Sequence, residues 1–128
     1  MSTRPLVMIA EVMLIICGGL AASIIHDQGA KYVLIKGGTK LEGQDKAIDL
    51  IYDGKDYTIL ESEKFATTYT HGAGCTTAAA ITAELAKGKT VTESLATAKE
   101  FISSAIEHGW KLNEFVGPVM HGAYRTYK

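Results

Sequence analysis

Between Leu6 and Ile25 the chain is apolar at nearly every position, and Glu11 is the one charge. That length approaches a membrane span. With Arg4 before it and Gly19-Leu20-Ala21-Ala22-Ser23 at its end, the stretch also has the outline of a signal peptide. Glu11 inside the run argues against secretion, and Gly18 and Gly19 weaken a spanning helix. A buried element at a packing interface is therefore expected, with no membrane association. Residues 21–30 read as a helix end with Gly29 as its stop. Tyr32-Val33-Leu34-Ile35 is a short run of aromatic and β-branched residues, which predicts a buried strand ending at Lys36-Gly37-Gly38. Helix, glycine and buried strand in that order are the rhythm of a β-α-β fold.

Further along, Ala47-Ile48-Asp49-Leu50-Ile51-Tyr52 and Tyr57-Thr58-Ile59-Leu60 flank Asp53-Gly54, a hairpin signal. Glu61, Glu63 and Lys64 read as its solvated edge. A polar segment rich in glycine and threonine, Thr67 to Thr77, runs straight into a helix on which Ala78, Ile81 and Leu85 share a face. Gly88 closes that helix. Thr90-Val91-Thr92-Glu93 is a capping-box pattern opening the next one, with Leu95, Ala98, Ile102 and Ala105 as its apolar stripe. His108 falls in its last turn and Gly109 ends it. In the tail, Trp110 and Phe115 are expected to pack against the sheet.

Composition narrows the classes. The chain has 128 residues, 47% hydrophobic and 21% charged, with a net charge of −1. It is long enough for one domain with a core. Thirteen basic residues are scattered without a block, so nucleic acid is not an expected partner. Cys17 and Cys75 make no disulfide framework and no metal spacing, which suits a reducing, cytoplasmic setting. The four histidines at 26, 71, 108 and 121 have no ligand spacing, so no protein-built metal cage is predicted. His26 and His108 read as surface residues, and His71 as a hydrogen-bond partner of the loop backbone.

The candidate chemistry lies in Thr70-His71-Gly72-Ala73-Gly74-Cys75. Glycines let the backbone turn sharply and approach a ligand. At a helix start their N–H groups point outward, and the helix dipole favours negative charge there. Such a loop can hold a developing phosphoryl anion, the main requirement of phosphoryl transfer. A glycine pair that merely turns the chain into a helix, with Cys75 as a small buried residue, is the simpler reading of the same residues. No Gly-Lys-Ser/Thr follows, so this is not a Walker A loop. Lys36-Gly37-Gly38 offers a polyphosphate contact at the carboxyl end of a parallel strand, or simply a solvated strand end.

Taken together, these segments resemble the hydroxymethylpyrimidine kinase and pyridoxine kinase group of the ribokinase-like superfamily. The resemblance rests on Thr70 to Thr76 before an Ala-rich helix, Val33 to Gly38, Asp49 with Tyr52-Asp53-Gly54, and Gly117-Pro118 with His121, and covers roughly residues 21–128. It implies an α/β, Rossmann-like three-layer fold truncated to its C-terminal half, behind an atypical leader over residues 1–20. It implies ATP as phosphoryl donor and Mg²⁺ held by phosphates and water. Gly72, Ala73 and Gly74 would form an anion hole. Cys75, where most of the superfamily carries an aspartate, would be the base that accepts the proton of a hydroxymethyl group. Lys36, Gly37, Gly38 and Asp49 would serve the nucleotide, with Lys99 near the adenine. The small-molecule partner is a heterocyclic alcohol: hydroxymethylpyrimidine or its monophosphate first, pyridoxal or pyridoxine second. The rival expectation is a fragment without catalysis, nucleotide-binding or self-associating, because a complete member is longer and carries the substrate pocket in its other half. Ala66 stands where the group usually has an acidic residue. Residues 1–20 do not resemble the segment expected before Ala21, and a shifted or alternative start is the expectation that upstream DNA would test.

Overall fold

In the computed structural model, which describes residues 14–37 and 46–128, the later part of the apolar stretch is helical. Leu14–Gly18 forms a π-turn and runs into α1, Gly19–Asp27. The part of the stretch before residue 14 lies outside the described residues. The stop at Gly29 is real: its φ is +109° and its N–H reaches the His26 carbonyl at 2.9 Å. Only one side of α1 is buried. Gly19 sits under the Tyr57 ring, whose hydroxyl donates to the Gly19 carbonyl at 3.1 Å, and Ala22 is fully buried. Small residues let the helix lie close on that side, so the larger Leu20 and Ile24 project outward, 63% and 60% exposed. The expected buried element is thus buried along a narrow strip only. Among the described residues no helix is long and apolar enough to cross a membrane.

The chain divides into two compact units, Met1–Lys64 and Phe65–Lys128. In the first, β1 (Val33–Lys36), β2 (Lys46–Tyr52) and β3 (Tyr57–Glu63) form a sheet in that order. Both pairings are antiparallel, with Lys36 opposite Asp49 and Tyr52 opposite Tyr57. The hairpin over β2 and β3 is as the sequence predicts. Its turn is held by the Asp53 carboxylate, which accepts the N–H groups of Lys55 and Asp56, each at 2.8 Å. That pairing draws the Asp53 carboxyl below its ordinary range. β1 departs from expectation. Among the described residues it is the antiparallel neighbour of β2, not a member of a parallel β-α-β unit. The central strand carries the core of this unit: Ile48, Leu50 and Ile51 are buried, and Val33 of β1 joins them. Burying a side chain such as Leu50 contributes roughly 1.5–3 kcal/mol.

The second unit is helical: α2 (Ala73–Ala86), α3 (Val91–Glu107) and the short α4 (Ala123–Thr126). α3 follows the sequence closely. Thr90 accepts the Glu93 N–H while the Glu93 carboxylate accepts the Thr90 N–H and hydroxyl. The predicted stripe of Leu95, Ala98, Ile102 and Ala105 is buried, and Val119 and Ala123 from the tail complete the core. α2 does not follow its predicted face. Its buried residues are Thr76, Thr77 and Glu84, whereas Ala78 and Leu85 are exposed and Ile81 is half-buried. This Ala-rich helix has no dominant apolar side, so the pattern of its residues does not mark which face is buried. At its C-terminal end Glu84 is buried and paired with Lys87 and Lys89. These lysines hold the Glu84 carboxyl below its ordinary range.

Two expectations about the tail fail. Trp110 and Phe115 are 50% and 84% exposed, because Asn113 turns the loop outward by accepting the N–H groups of Phe115 and Val116. His108 is no simple surface residue: its ring stacks on Tyr127 at 4.1 Å and its Nδ1 lies 3.0 Å from the Ser104 carbonyl. His26 is likewise half-buried, set edge-on against Tyr52 at 5.4 Å.

Candidate functional site

The glycine-rich loop enters α2 through one left-handed residue. Gly72 has φ +85°, a conformation that costs an L-residue roughly 1–2 kcal/mol. The turn lets the Ala73 N–H donate to the Thr70 carbonyl at 3.1 Å and the Thr76 N–H to the Gly72 carbonyl at 2.9 Å. Among the described residues no acceptor meets the N–H groups of Gly74 and Cys75. Nothing lies within 4 Å of where a Cβ on Gly72 or Gly74 would stand. Two donors at a helix start are thus without an acceptor among the described residues, and the glycine side of the loop is uncrowded, an arrangement that suits an anion. Of the three residues expected to form the anion hole, Ala73 has its N–H engaged within the loop, and Cys75 adds its own.

Cys75 itself is exposed, which removes the reading of it as a small buried residue. It borders a cavity of about 600 Å³. Besides Cys75 and Thr76, this is lined by Ala80 of α2, Phe101 of α3, and His121 and Tyr124 of the tail. His71 meets the loop's surroundings through its main chain, not its ring. Its N–H donates to the Gly117 carbonyl at 3.1 Å and its carbonyl accepts the Val119 N–H at 3.2 Å, a parallel bridge between loop and tail. Sequence reasoning missed the hydrogen bond of 2.9 Å between the Thr76 hydroxyl and His121 Nε2. The residues are 45 apart, and no local signal links them.

The other expected site residues fall in the first unit, except Lys99. The register of β1 and β2 sets Lys36 opposite Asp49. The Gly37 N–H donates to Asp49 Oδ1 at 3.2 Å as well as to the Ile48 carbonyl at 3.0 Å. Asp49 is buried, so this carboxylate fixes the end of β1. Gly38 lies outside the described residues. Lys99 is half-buried on α3 and does not line the cavity. Among the described residues no three His, Cys, Asp or Glu side chains gather as a metal site.

Known proteins are similar to this chain in sequence and fold. A family model described as phosphomethylpyrimidine kinase matches residues 19–120. The pyridoxine kinase of Bacillus subtilis is 55% identical over 105 residues, 82% of this chain and 38% of its own. The hydroxymethylpyrimidine/phosphomethylpyrimidine kinase of Haemophilus influenzae is 45% identical over 107 residues, 81% of this chain and 39% of its own. The structure of the pyridoxal kinase from Staphylococcus aureus in complex with AMP-PCP and pyridoxal superposes with a TM-score of 0.81 at 55% identity, over 84% of this chain and 40% of that one. The chain thus spans about two-fifths of the length of the relatives it matches. Its fold is the corresponding part of a ribokinase-like α/β fold, and the chain belongs to the phosphomethylpyrimidine kinase family.

Proposed function

We infer that the chain supplies the phosphoryl-transfer part, with a share of the nucleotide site, of an ATP-dependent kinase acting on a B6 vitamer. The observation that carries this reading is the exposed Cys75 beside the free N–H groups of Gly74 and Cys75, in a chain 55% identical to a pyridoxine kinase. Identity to the hydroxymethylpyrimidine kinase is lower, at 45%. The order of the two substrates expected from sequence is therefore reversed: pyridoxal or pyridoxine comes first and hydroxymethylpyrimidine second. The relative whose structure holds AMP-PCP and pyridoxal supports both the nucleotide and the acceptor.

In this reading the N–H groups of Gly74 and Cys75 stabilise charge on the transferring phosphoryl group, aided by the dipole of α2. Gly72 provides the turn that aims them. The Cys75 sulfur takes the proton of the acceptor's hydroxymethyl group as the hydroxymethyl oxygen bonds to phosphorus and the bond from phosphorus to the nucleotide breaks. Lys36, Gly37 and Gly38 serve the nucleotide phosphates, with Asp49 holding the Gly37 N–H, and Lys99 serves the base. Mg²⁺ held by phosphates and water supplies neutralising charge when bound.

The test is ATP turnover by the purified chain with Mg²⁺ and pyridoxal, and separately with hydroxymethylpyrimidine. Turnover favouring pyridoxal and reduced on the order of a hundredfold or more in Cys75→Ala is expected, the usual scale for a general base. Preference for hydroxymethylpyrimidine, or full activity without the thiol, would overturn the assignment. Binding of ADP without turnover by a folded chain would instead support the nucleotide-binding fragment.

A further inference from the structure

Thr76 behaves unlike the other threonines of its helix. The hydroxyls of Thr77 and Thr82 donate back to the carbonyls four residues earlier, Ala73 and Ala78, at 2.8 and 2.9 Å. Thr126 of α4 does the same toward Gly122 at 3.1 Å. This back-bonding is the ordinary local choice for a helical threonine. Thr76 is just as buried as Thr77, yet its hydroxyl turns away from its own helix to His121 Nε2 at 2.9 Å. Its local acceptor would have been the Gly72 carbonyl, which already receives the Thr76 N–H at 2.9 Å. That N–H bond closes the first turn of the loop. The Thr76 hydroxyl thus ties this first turn to the tail and not to its own helix.

The imidazole is delivered from a fixed backbone. The Met120 N–H donates to the Ala105 carbonyl of α3 at 2.8 Å, and the Ala123 N–H returns to the Met120 carbonyl at 3.1 Å. Two residues earlier, Val119 is 1% exposed, belongs to the core with Ile102 and Ala105, and carries one half of the bridge to His71. Ala73 packs against this same core cluster. His121 and Thr76 also border the cavity that Cys75 borders.

We propose that His121 is a positioning residue for the glycine-rich loop: through the Thr76 hydroxyl it holds the first turn of α2, and with it the N–H groups of Gly74 and Cys75, in the geometry that receives a phosphoryl group. The proposal rests on the functional reading of that loop given above. His121 itself makes no contact with the reacting atoms in this scheme.

The test uses the whole chain and five forms of it: wild type, His121→Ala, His121→Gln, Thr76→Val and the Thr76→Val/His121→Ala double variant. Amide hydrogen exchange is followed over residues 70–78, 117–121 and 91–107. Loss of one ordinary hydrogen bond shifts a local equilibrium about fivefold. His121→Ala and Thr76→Val should each raise exchange over 70–78 by that order and leave 91–107 unchanged. The double variant should be no worse than either single one, because both remove the same bond. Gln can place its amide where Nε2 stands, so His121→Gln should restore protection. Additive effects, no rescue by Gln, unchanged exchange over 70–78, or loss of protection spread over 91–107 in both single variants would each overturn the proposal. In parallel, kcat for pyridoxal phosphorylation should fall in the variants that lose protection, with KM for pyridoxal unchanged. The exchange pattern decides the link to His121 and turnover decides the function of the loop, so the two fail separately.

Discussion

The Asp49 carboxylate accepts the N–H of Gly37 at 3.2 Å, and the same N–H also reaches the Ile48 carbonyl at 3.0 Å. One buried side chain on the central strand thus fixes where β1 ends. Asp49→Ala removes that acceptor but leaves Gly37 its backbone partner, so the expected cost is about 1–2 kcal/mol, not the full penalty of an orphaned group. Asp49→Asn keeps an acceptor oxygen and should cost less. Urea denaturation of the three forms checks the order. A neutral Asp49→Ala would show that the bond contributes nothing to the strand end.

Gly74 offers a substitution whose effects on stability and activity have opposite signs. It is a helical residue, and the position a Cβ would take there has nothing within 4 Å. Replacing a helical glycine by alanine gains up to about 1 kcal/mol. Yet the methyl group would add bulk to the open side of the loop, next to the Gly74 and Cys75 main chain. Gly74→Ala should therefore raise Tm while lowering phosphoryl transfer, on the order of a hundredfold for a misplacement of this size. Calorimetry and turnover on one preparation test both halves. A stabilised enzyme with full activity would remove the anion-hole role.

Gly117 is the contrasting case. A Cβ there would stand 2.2 Å from the Trp110 carbonyl oxygen and 2.4 Å from the Tyr69 ring. The first obstacle is backbone and cannot rotate away. Gly117→Ala should cost about 1–3 kcal/mol or more through overpacking. Because the Gly117 carbonyl accepts the His71 N–H, the same change should disturb the loop bridge. Tm and exchange at His71 report the two consequences. An unchanged Tm would mean that the tail can shift freely around Tyr69.

How much of this was legible in the sequence depended on how local each cause was. The capping box at Thr90 and Glu93, the stripe on α3 and the Asp53-Gly54 hairpin are written in residues a few positions apart, and all three form as read. The loop from Thr70 to Cys75 was visible too, since a left-handed glycine before a helix is a local device. The face of α2 was not, because alanine on all sides leaves no apolar stripe to mark it, and the tie from Thr76 to His121 joins residues 45 apart. The antiparallel placement of β1 and the outward turn at Asn113 were missed for the same reason: each is decided by partners along the fold, not by hydrophobic content.

Acid should loosen the helical unit in a definite window. Glu84 is buried at the end of α2, and bonds from Lys87 and then Lys89 lower its pKa from 4.5. Glu93, held by the Thr90 hydroxyl and N–H, is lowered in the same direction, as is Glu100 beside Lys128. A carboxyl whose pKa is lower folded than unfolded binds fewer protons in the native state. Its stabilising effect is present above the unfolded value of 4.5 and is lost as pH falls through the folded value. Tm should thus be steady near neutrality and decline from about pH 4.5 downward. Glu84→Gln keeps the shape and removes the titration. It should lower Tm at about pH 7, where the charged carboxylate is paired, and approach the wild type in acid, where both side chains are neutral. Its Tm should also depend less on salt, since the lysine pairs lie near the surface and are screened. Parallel curves for wild type and Glu84→Gln across the acid range would mean that the Glu84 cluster does not govern the acid response, and would leave Glu93 and Glu100 as the groups to replace next.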